Sequence, residues 1–201
     1  EAAEADIEFK EGRLVVAGTD RGVSLMDLSV KHPGKLDTMH VTEVIPSAFP
    51  NGCHVCEVEI DPETGVVEVV RYSSVNDFGT IVNPLMVEGQ IHGGVVQGMG
   101  QCFMESARYD ESGQLLTGSF MDYALPRAED FAAPFPWRSH PVPATTNPLG
   151  AKGCGEAGCA GSMTSVMNAV VDALREAGIH HFDMPASPPR VWAAIRKSRG
   201  T

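Results

Sequence analysis

Val55-Cys56-Glu57-Val58-Glu59-Ile60, Asp61-Pro62-Glu63-Thr64-Gly65 and Val66-Val67-Glu68-Val69-Val70-Arg71-Tyr72 are three consecutive pieces with one joint reading. Apolar residues alternate with charged ones in the outer pieces, most clearly from Val55 to Ile60, which is the period of a strand with one buried face. The middle piece is turn chemistry: Pro62 presets φ and Gly65 accepts φ > 0. The stretch predicts a long antiparallel hairpin. With hairpins dominating and helices interspersed, the fold class expected is α+β layers, not a doubly wound sheet.

Working upstream, residues 6–17 predict a second hairpin. Ile7 and Phe9 alternate with charges, Glu11-Gly12 turns, and Leu14-Val15-Val16 returns. A short helix is expected over 22–30, ending before Pro33, and a strand from Met39 to Ile45. Downstream, 76–80 reads as a loop. Pro84 opens a helix that runs to about Met104 with Gly89, Gly93, Gly94, Gly98 and Gly100 inside it. Each interior glycine costs about 1 kcal/mol relative to alanine, so this helix backbone comes close to something. Gly89 with Gly93, and Gly94 with Gly98, are four apart and line a flank. Tight packing on a sheet accounts for that, and so does a ligand lying against the helix.

A third hairpin is expected from Ala107–Tyr109 and Leu115–Phe120 around Asp110–Gly113. The proline-dense stretch 126–148 reads as an extended loop. A second long helix spans Glu156 to Ala177, with Met163, Val166, Met167, Val170, Val171 and Leu174 at helical spacing and Gly178 as its stop. Its methionines are core residues. A last short helix follows Pro188-Pro189 and carries Val191, Trp192 and Ile195. Possible lobes are 37–140, and 1–36 with 141–201.

Composition narrows the function. The 201 residues carry 15 Lys and Arg against 26 Asp and Glu, a net charge of -11. Phosphate-binding faces need clustered basic residues, so nucleic acid is not an expected partner. No apolar run approaches the 20 or so residues of a membrane span. An odd number of cysteines, five, fits reduced thiols in a cytoplasmic protein better than a disulfide framework. Cys53 and Cys56 lie on a predicted strand, where residues three apart face opposite ways, and no second pair follows at zinc spacing. The first residues, Glu1-Ala2-Ala3-Glu4, read as the middle of a longer polypeptide.

Two segments look unlike ordinary core. One is Gly89-Gln90-Ile91-His92-Gly93-Gly94-Val95-Val96-Gln97-Gly98. The other is Gly150-Ala151-Lys152-Gly153-Cys154-Gly155-Glu156-Ala157-Gly158, whose glycines let backbone N–H groups approach a ligand just before a helix start. Glu156 stands at that start, where a carboxylate also stabilises the first turn by about 0.3–1 kcal/mol. The glycine spacing is neither a Walker loop nor a Rossmann fingerprint.

Together these segments resemble the C-terminal part of the molybdopterin-binding large subunit of the xanthine dehydrogenase, aldehyde oxidase and carbon monoxide dehydrogenase superfamily. The other matching stretches are Asp77-Phe78-Gly79-Thr80-Ile81-Val82-Asn83-Pro84, Ser119-Phe120-Met121-Asp122-Tyr123-Ala124-Leu125-Pro126 and Pro188-Pro189-Arg190-Val191-Trp192. The likeness covers nearly the whole chain. It implies a two-layer mixed sheet and helix arrangement, with 1–201 as one region of a larger subunit. It implies a molybdenum hydroxylase that oxidises an aldehyde or N-heterocycle with water as oxygen source. Glu156 would be the general base, taking a proton as the oxygen attacks an electron-poor carbon, while the cofactor takes the electrons. Gln90 would hydrogen-bond the pterin, with Gly89, Lys152, Gly153, Cys154 and Gly155 lining the cofactor and no residue of this chain binding the metal directly.

The resemblance further implies a molybdenum–molybdopterin cofactor, in bacterial members often the cytosine dinucleotide form. Iron–sulfur and FAD groups would sit on partner subunits or domains, since no clustered cysteine set is present here. Other expected partners are the upstream part of the subunit, a small-molecule substrate and further copies in an oligomer. Cys154 stands where the family more often has a small aliphatic residue, and Ser106 where an acid often follows Glu105. Two other readings stay open: a non-catalytic scaffold module of the same assembly, and a phosphate or nucleotide binder using 150–158.

Overall fold

The computed structural model describes residues 2–41, 46–131 and 135–200. It divides into two compact units, Glu1–Val44 and Ile45–Thr201. This differs from the lobes expected at 37–140 and at 1–36 with 141–201. The physical reason is that the long helix of the C-terminal segment is packed inside the second unit.

In the first unit, β1 (Ile7–Lys10) pairs antiparallel with β2 (Arg13–Val16), and β2 with β3 (Gly22–Ser24). Glu11 and Gly12 both take positive φ, 48° and 74°, the two-residue turn whose twist suits a hairpin. The helix expected over 22–30 begins only at Leu25. Residues 22–24 extend the sheet instead, and Ser24 caps α1 (Leu25–Lys31) by accepting the Asp27 N–H at 2.9 Å. No described residue of this unit is fully buried. Of the strand expected from Met39 to Ile45, residues 39–41 have no regular structure and 42–45 lie outside the described residues.

In the second unit, β4 (Asn51–Ile60) and β5 (Val67–Asp77) form the predicted hairpin, paired from Asn51↔Asp77 to Ile60↔Val67 with a register shift at Glu57/Val58. Along β4, His54, Cys56, Val58 and Ile60 turn inward while Cys53, Val55, Glu57 and Glu59 are exposed. Cys53 and Cys56 therefore sit on opposite faces. At the hairpin tip Gly65 meets two demands. Its φ is +76°, and a Cβ there would stand 2.6 Å from the Trp192 nitrogen. Asn76 and Asp77 belong to β5 rather than to a loop, because β6 (Trp137–Ser139) pairs with Ser74–Asn76 in parallel. β6 lies within the proline-dense stretch expected to be all loop.

Asn83 caps α2 (Pro84–Phe103), its side chain accepting the Met86 N–H at 3.2 Å. α3 (Ala157–Leu174) runs into a 3-10 turn over 175–177, and Gly178 at φ 75° ends it. α4 (Pro188–Arg199) buries Val191 and Ile195. α3 packs against both β4 and α2. The core between them holds Tyr72, Phe78, Ile91, Val95, Met99, Val166, Val170 and Leu174. The hairpin expected across 107–120 shrinks to one bridge, Tyr109↔Leu115. Asp110 ties the Ser112 and Gln114 N–H groups locally, and the Ser119 carbonyl turns the chain by accepting from Asp122 and Tyr123, so no ladder propagates. The α+β class stands.

Candidate functional site

The 150–158 segment is stitched to the end of β5 before it reaches α3. Gly79 and Ala151 form a bridge, Thr80 N–H donates to the Gly150 carbonyl at 2.9 Å, and Lys152 N–H donates to the Phe78 carbonyl at 2.9 Å. Gly79 must be glycine: its φ is +60° and a Cβ would collide with the Gly150 carbonyl. From the other side, Asn147 both donates to the Ala151 carbonyl (2.9 Å) and accepts its N–H (3.1 Å).

Lys152 closes this anchor. Its ammonium donates to Asp77 Oδ2 at 2.6 Å, with the two side chains only 10% and 11% exposed. Asp77 Oδ1 also accepts the Val142 and Gly79 N–H groups at 2.9 and 2.8 Å. Lys152 beside it, then those two amides, hold the Asp77 carboxyl well below the usual carboxylate range. The Lys152 side chain is thus committed to Asp77. Asp77 is a residue to which sequence reasoning gave no role. Its 75-residue separation from Lys152 left no local signal.

Beyond the anchor, Gly153 is open, with nothing within 4 Å of a Cβ built there. Cys154 is half-buried against the core, and Gly155 is exposed. Glu156 is the N-cap of α3. Its carbonyl accepts the Ala160 N–H at 3.0 Å, its exposed side chain makes no capping hydrogen bond, and the first N–H groups of α3 lie beside it.

α2 brings the second segment alongside. A Cβ on Gly94 would stand 3.0 Å from the Cys159 nitrogen and 3.1 Å from the Gly158 Cα. One on Gly98 would overlap the Ser162 hydroxyl, and one on Gly158 would stand 2.6 Å from the Ile91 carbonyl. The tight packing expected between a glycine helix and a sheet is therefore a helix–helix crossing. Glycine removes the Cβ layer from both backbones, so α2 and α3 touch. This crossing sets Gln90 beside the other segment: its Oε1 is 3.9 Å from where a Gly155 Cβ would be. Gly89 and Gly93, on the exposed flank next to Gln90, have nothing within 4 Å. His92 Nε2 donates to the Phe135 carbonyl at 3.0 Å, a structural role.

Gln90 thus lies beside Gly155, the residue before Glu156, where α2 passes the start of α3, with Gly89 on the neighbouring open turn. Sequence reasoning missed the pairing of Gly94 with Gly158 and of Gly98 with Ser162, and the role of His54, which sits under the first turns of α3. The regular four-residue glycine spacing was the available signal for the crossing, but it does not say what the helix meets.

A family model described as molybdopterin cofactor-binding domain matches residues 1–132. The chain is 37% identical over 209 aligned residues to the nicotine 6-hydroxylase large subunit of Paenarthrobacter nicotinovorans, covering 98% of this chain and 25% of that one. It is 34% identical to the carbon monoxide dehydrogenase large chain of Hydrogenophaga pseudoflava, covering 98% and 26%. Its structure superposes on that of a Cu,Mo-containing carbon monoxide dehydrogenase with a TM-score of 0.79 at 30% identity, again covering 98% and 26%. The chain spans about a quarter of the length of these relatives.

Proposed function

The chain belongs to the molybdopterin cofactor-binding domain family of molybdenum hydroxylase large subunits, and on that premise we propose that Glu156 is the general base of such an enzyme. The whole enzyme would oxidise an aldehyde or an N-heterocycle, with water as the oxygen source. The observation that carries this reading is the meeting of Gln90 with the Gly153–Glu156 turn at the α2–α3 crossing.

The edge suits a pterin. Gly89, Gly93 and Gly153 present bare backbone to open space, so a flat polar ring system approaches without a Cβ clash. Gln90 offers an amide that both donates and accepts, matching the edges of such a ring. The backbone of Lys152, Gly153, Cys154 and Gly155 would follow the cofactor, and the unpaired N–H groups at the start of α3 favour its electron-rich oxygens. Lys152 contributes by fixing the loop through Asp77, not by reaching for the ligand. When bound, the molybdenum cofactor supplies the two-electron redox step. The part of Glu156 is proton transfer. Its carboxylate, unused as a cap, takes the proton from the water-derived oxygen as that oxygen attacks carbon.

The remaining partners follow the same reading. The cofactor would carry cytosine dinucleotide, the upstream part of the subunit would complete the groove, and iron–sulfur and flavin subunits would carry electrons away in a cytoplasmic oligomer. Among the described residues, no helix is long and apolar enough to cross a membrane.

Glu156→Gln in the intact enzyme tests the assignment. Molybdenum content is expected to stay at the wild-type level while turnover falls about 10²–10⁴-fold, the range for losing a positioned general base. Substantial turnover at unchanged metal content would overturn it and leave a scaffold role for the carboxylate.

A further inference from the structure

We infer that His54 is a positioning residue for Glu156, acting through the first turns of α3. The inference rests on the proposed role of Glu156 and concerns how this chain holds that carboxylate.

His54 is gripped at both ring nitrogens. Nδ1 lies 2.5 Å from the Tyr72 hydroxyl and Nε2 lies 3.1 Å from Asn76 Oδ1. Asn76 donates its own amide N–H to Ser74 Oγ at 3.0 Å, which fixes Oδ1 as the acceptor facing the imidazole. Nε2 therefore carries the proton, and Nδ1 accepts from Tyr72. Burial pushes Tyr72 up to about 12, against a lowering by the Ser165 hydrogen bond and with smaller increases from the Cys56 and Cys102 thiols, so its hydroxyl remains a donor. Tyr72 and Asn76 are each 1% exposed, and Tyr72 also accepts from Ser165 Oγ on α3 at 3.5 Å. The ring thus stands in one orientation, edge-on to Tyr72 with centroids 5.8 Å apart.

That ring presses on α3 at one point. A Cβ on Gly161 would stand 2.5 Å from both Nδ1 and Cε1 of His54. Only glycine lets the helix backbone close over the imidazole. Gly161 follows Glu156 by five residues, about 7.5 Å along the axis. Glu156 has no capping bond of its own, so its location is set by where the first turns of α3 lie. On one flank the Gly94–Gly158 and Gly98–Ser162 contacts set the distance to α2; on the other, His54 in the Gly161 notch sets the height above β4. A cavity of about 320 Å³ bounded by Gly52, His54, Asn76, Ala157, Ala160 and Gly161 lies under this turn. Removing the ring enlarges that space and lets the start of α3 settle toward the sheet.

The test uses the assembled, cofactor-loaded enzyme. His54→Ala is expected to lower kcat about 10- to 100-fold with KM and molybdenum content near wild type. Amide hydrogen exchange should quicken over 157–161 but not over 166–174. Gly161→Ala, which evicts the ring, should reproduce both effects. The double variant His54→Ala/Gly161→Ala should recover at least several-fold in kcat over Gly161→Ala alone, because the new methyl occupies the vacated space. His54→Gln, which keeps one donor and one acceptor, should lie between wild type and His54→Ala, and it stands in if the alanine variant does not assemble. In a Glu156→Gln background, His54→Ala should cost nothing further.

An unchanged kcat in both single variants, or exchange that quickens uniformly along α3, would overturn the inference. A double variant no better than Gly161→Ala would do the same. If instead Glu156→Gln itself keeps full turnover, it is the general-base reading that fails, and the local exchange pattern still decides what His54 holds.

Discussion

The two glycine pairs of α2 have the same spacing and opposite fates. Gly94 and Gly98 are buried where α2 crosses α3: a Cβ on Gly94 would crowd the Gly158–Cys159 backbone at 3.0–3.1 Å, and one on Gly98 would overlap the Ser162 hydroxyl. Gly89 and Gly93 lie on the exposed flank beside Gln90, and among the described residues no atom comes within 4 Å of a Cβ built on either. Both pairs lower helix propensity by the same amount, about 1 kcal/mol per residue. In the first pair, close helix packing offsets that cost. In the second, nothing among the described residues does, and this open flank is the one to which the proposed cofactor role is assigned.

The sharpest way to break this contrast is Gly98→Val. The added carbons collide with Ser162 and the Cys159 carbonyl. Overpacking of this kind costs about 3 kcal/mol, and it should appear as a clear drop in the urea midpoint of the assembled protein and as loss of metal. A midpoint equal to wild type would mean that the crossing is loose.

Acid titration probes the anchor that orients the loop opposite the open flank. The Asp77 carboxyl is held below its ordinary range by Lys152 and two amides. A depressed carboxylate contributes its full stability above the unfolded-state pKa, about 4. That contribution is lost as pH falls through the folded-state value. Comparing wild type with Asp77→Asn from pH 7 downward, the stability gap should hold to about pH 4 and close below it. A gap that does not depend on pH would remove Asp77 as the cause.

The smallest effect belongs to the open pair. Gly93→Ala should stabilise α2 by about 0.5–1 kcal/mol, since the methyl meets nothing in this chain. The same change should reduce the molybdenum retained by the intact enzyme. Higher stability with full cofactor content would show that the flank faces solvent only.

Much of this architecture is legible in local chemistry. The 55–72 hairpin, α2 and α3 follow from alternation, a Pro-x-x-Gly turn, Pro84 at a helix start and Gly178 at a helix stop. The hairpin expected over 107–120 is not, because the Asp110 carboxylate satisfies turn amides that a ladder would otherwise need. The separate strand β6 is hidden for the opposite reason: three residues among prolines carry no period, and only the free edge of β5 recruits them. Gln90 and Glu156 stand out by the glycines around them. His54 does not, since a histidine in an alternating strand looks like any half-polar residue.

The amino-acid order by itself determined the 55–72 hairpin, the two long helices, the family to which the chain belongs and the two glycine segments, because each is written in neighbours within a few residues. Tertiary structure alone decided that Lys152 belongs to Asp77, that Gly94 and Gly98 face Gly158 and Ser162, and that His54 lies under Gly161. Those pairings join residues 60 to more than 100 positions apart. They arise from which backbones can approach without a Cβ between them, a property of the packed chain and not of any stretch of it.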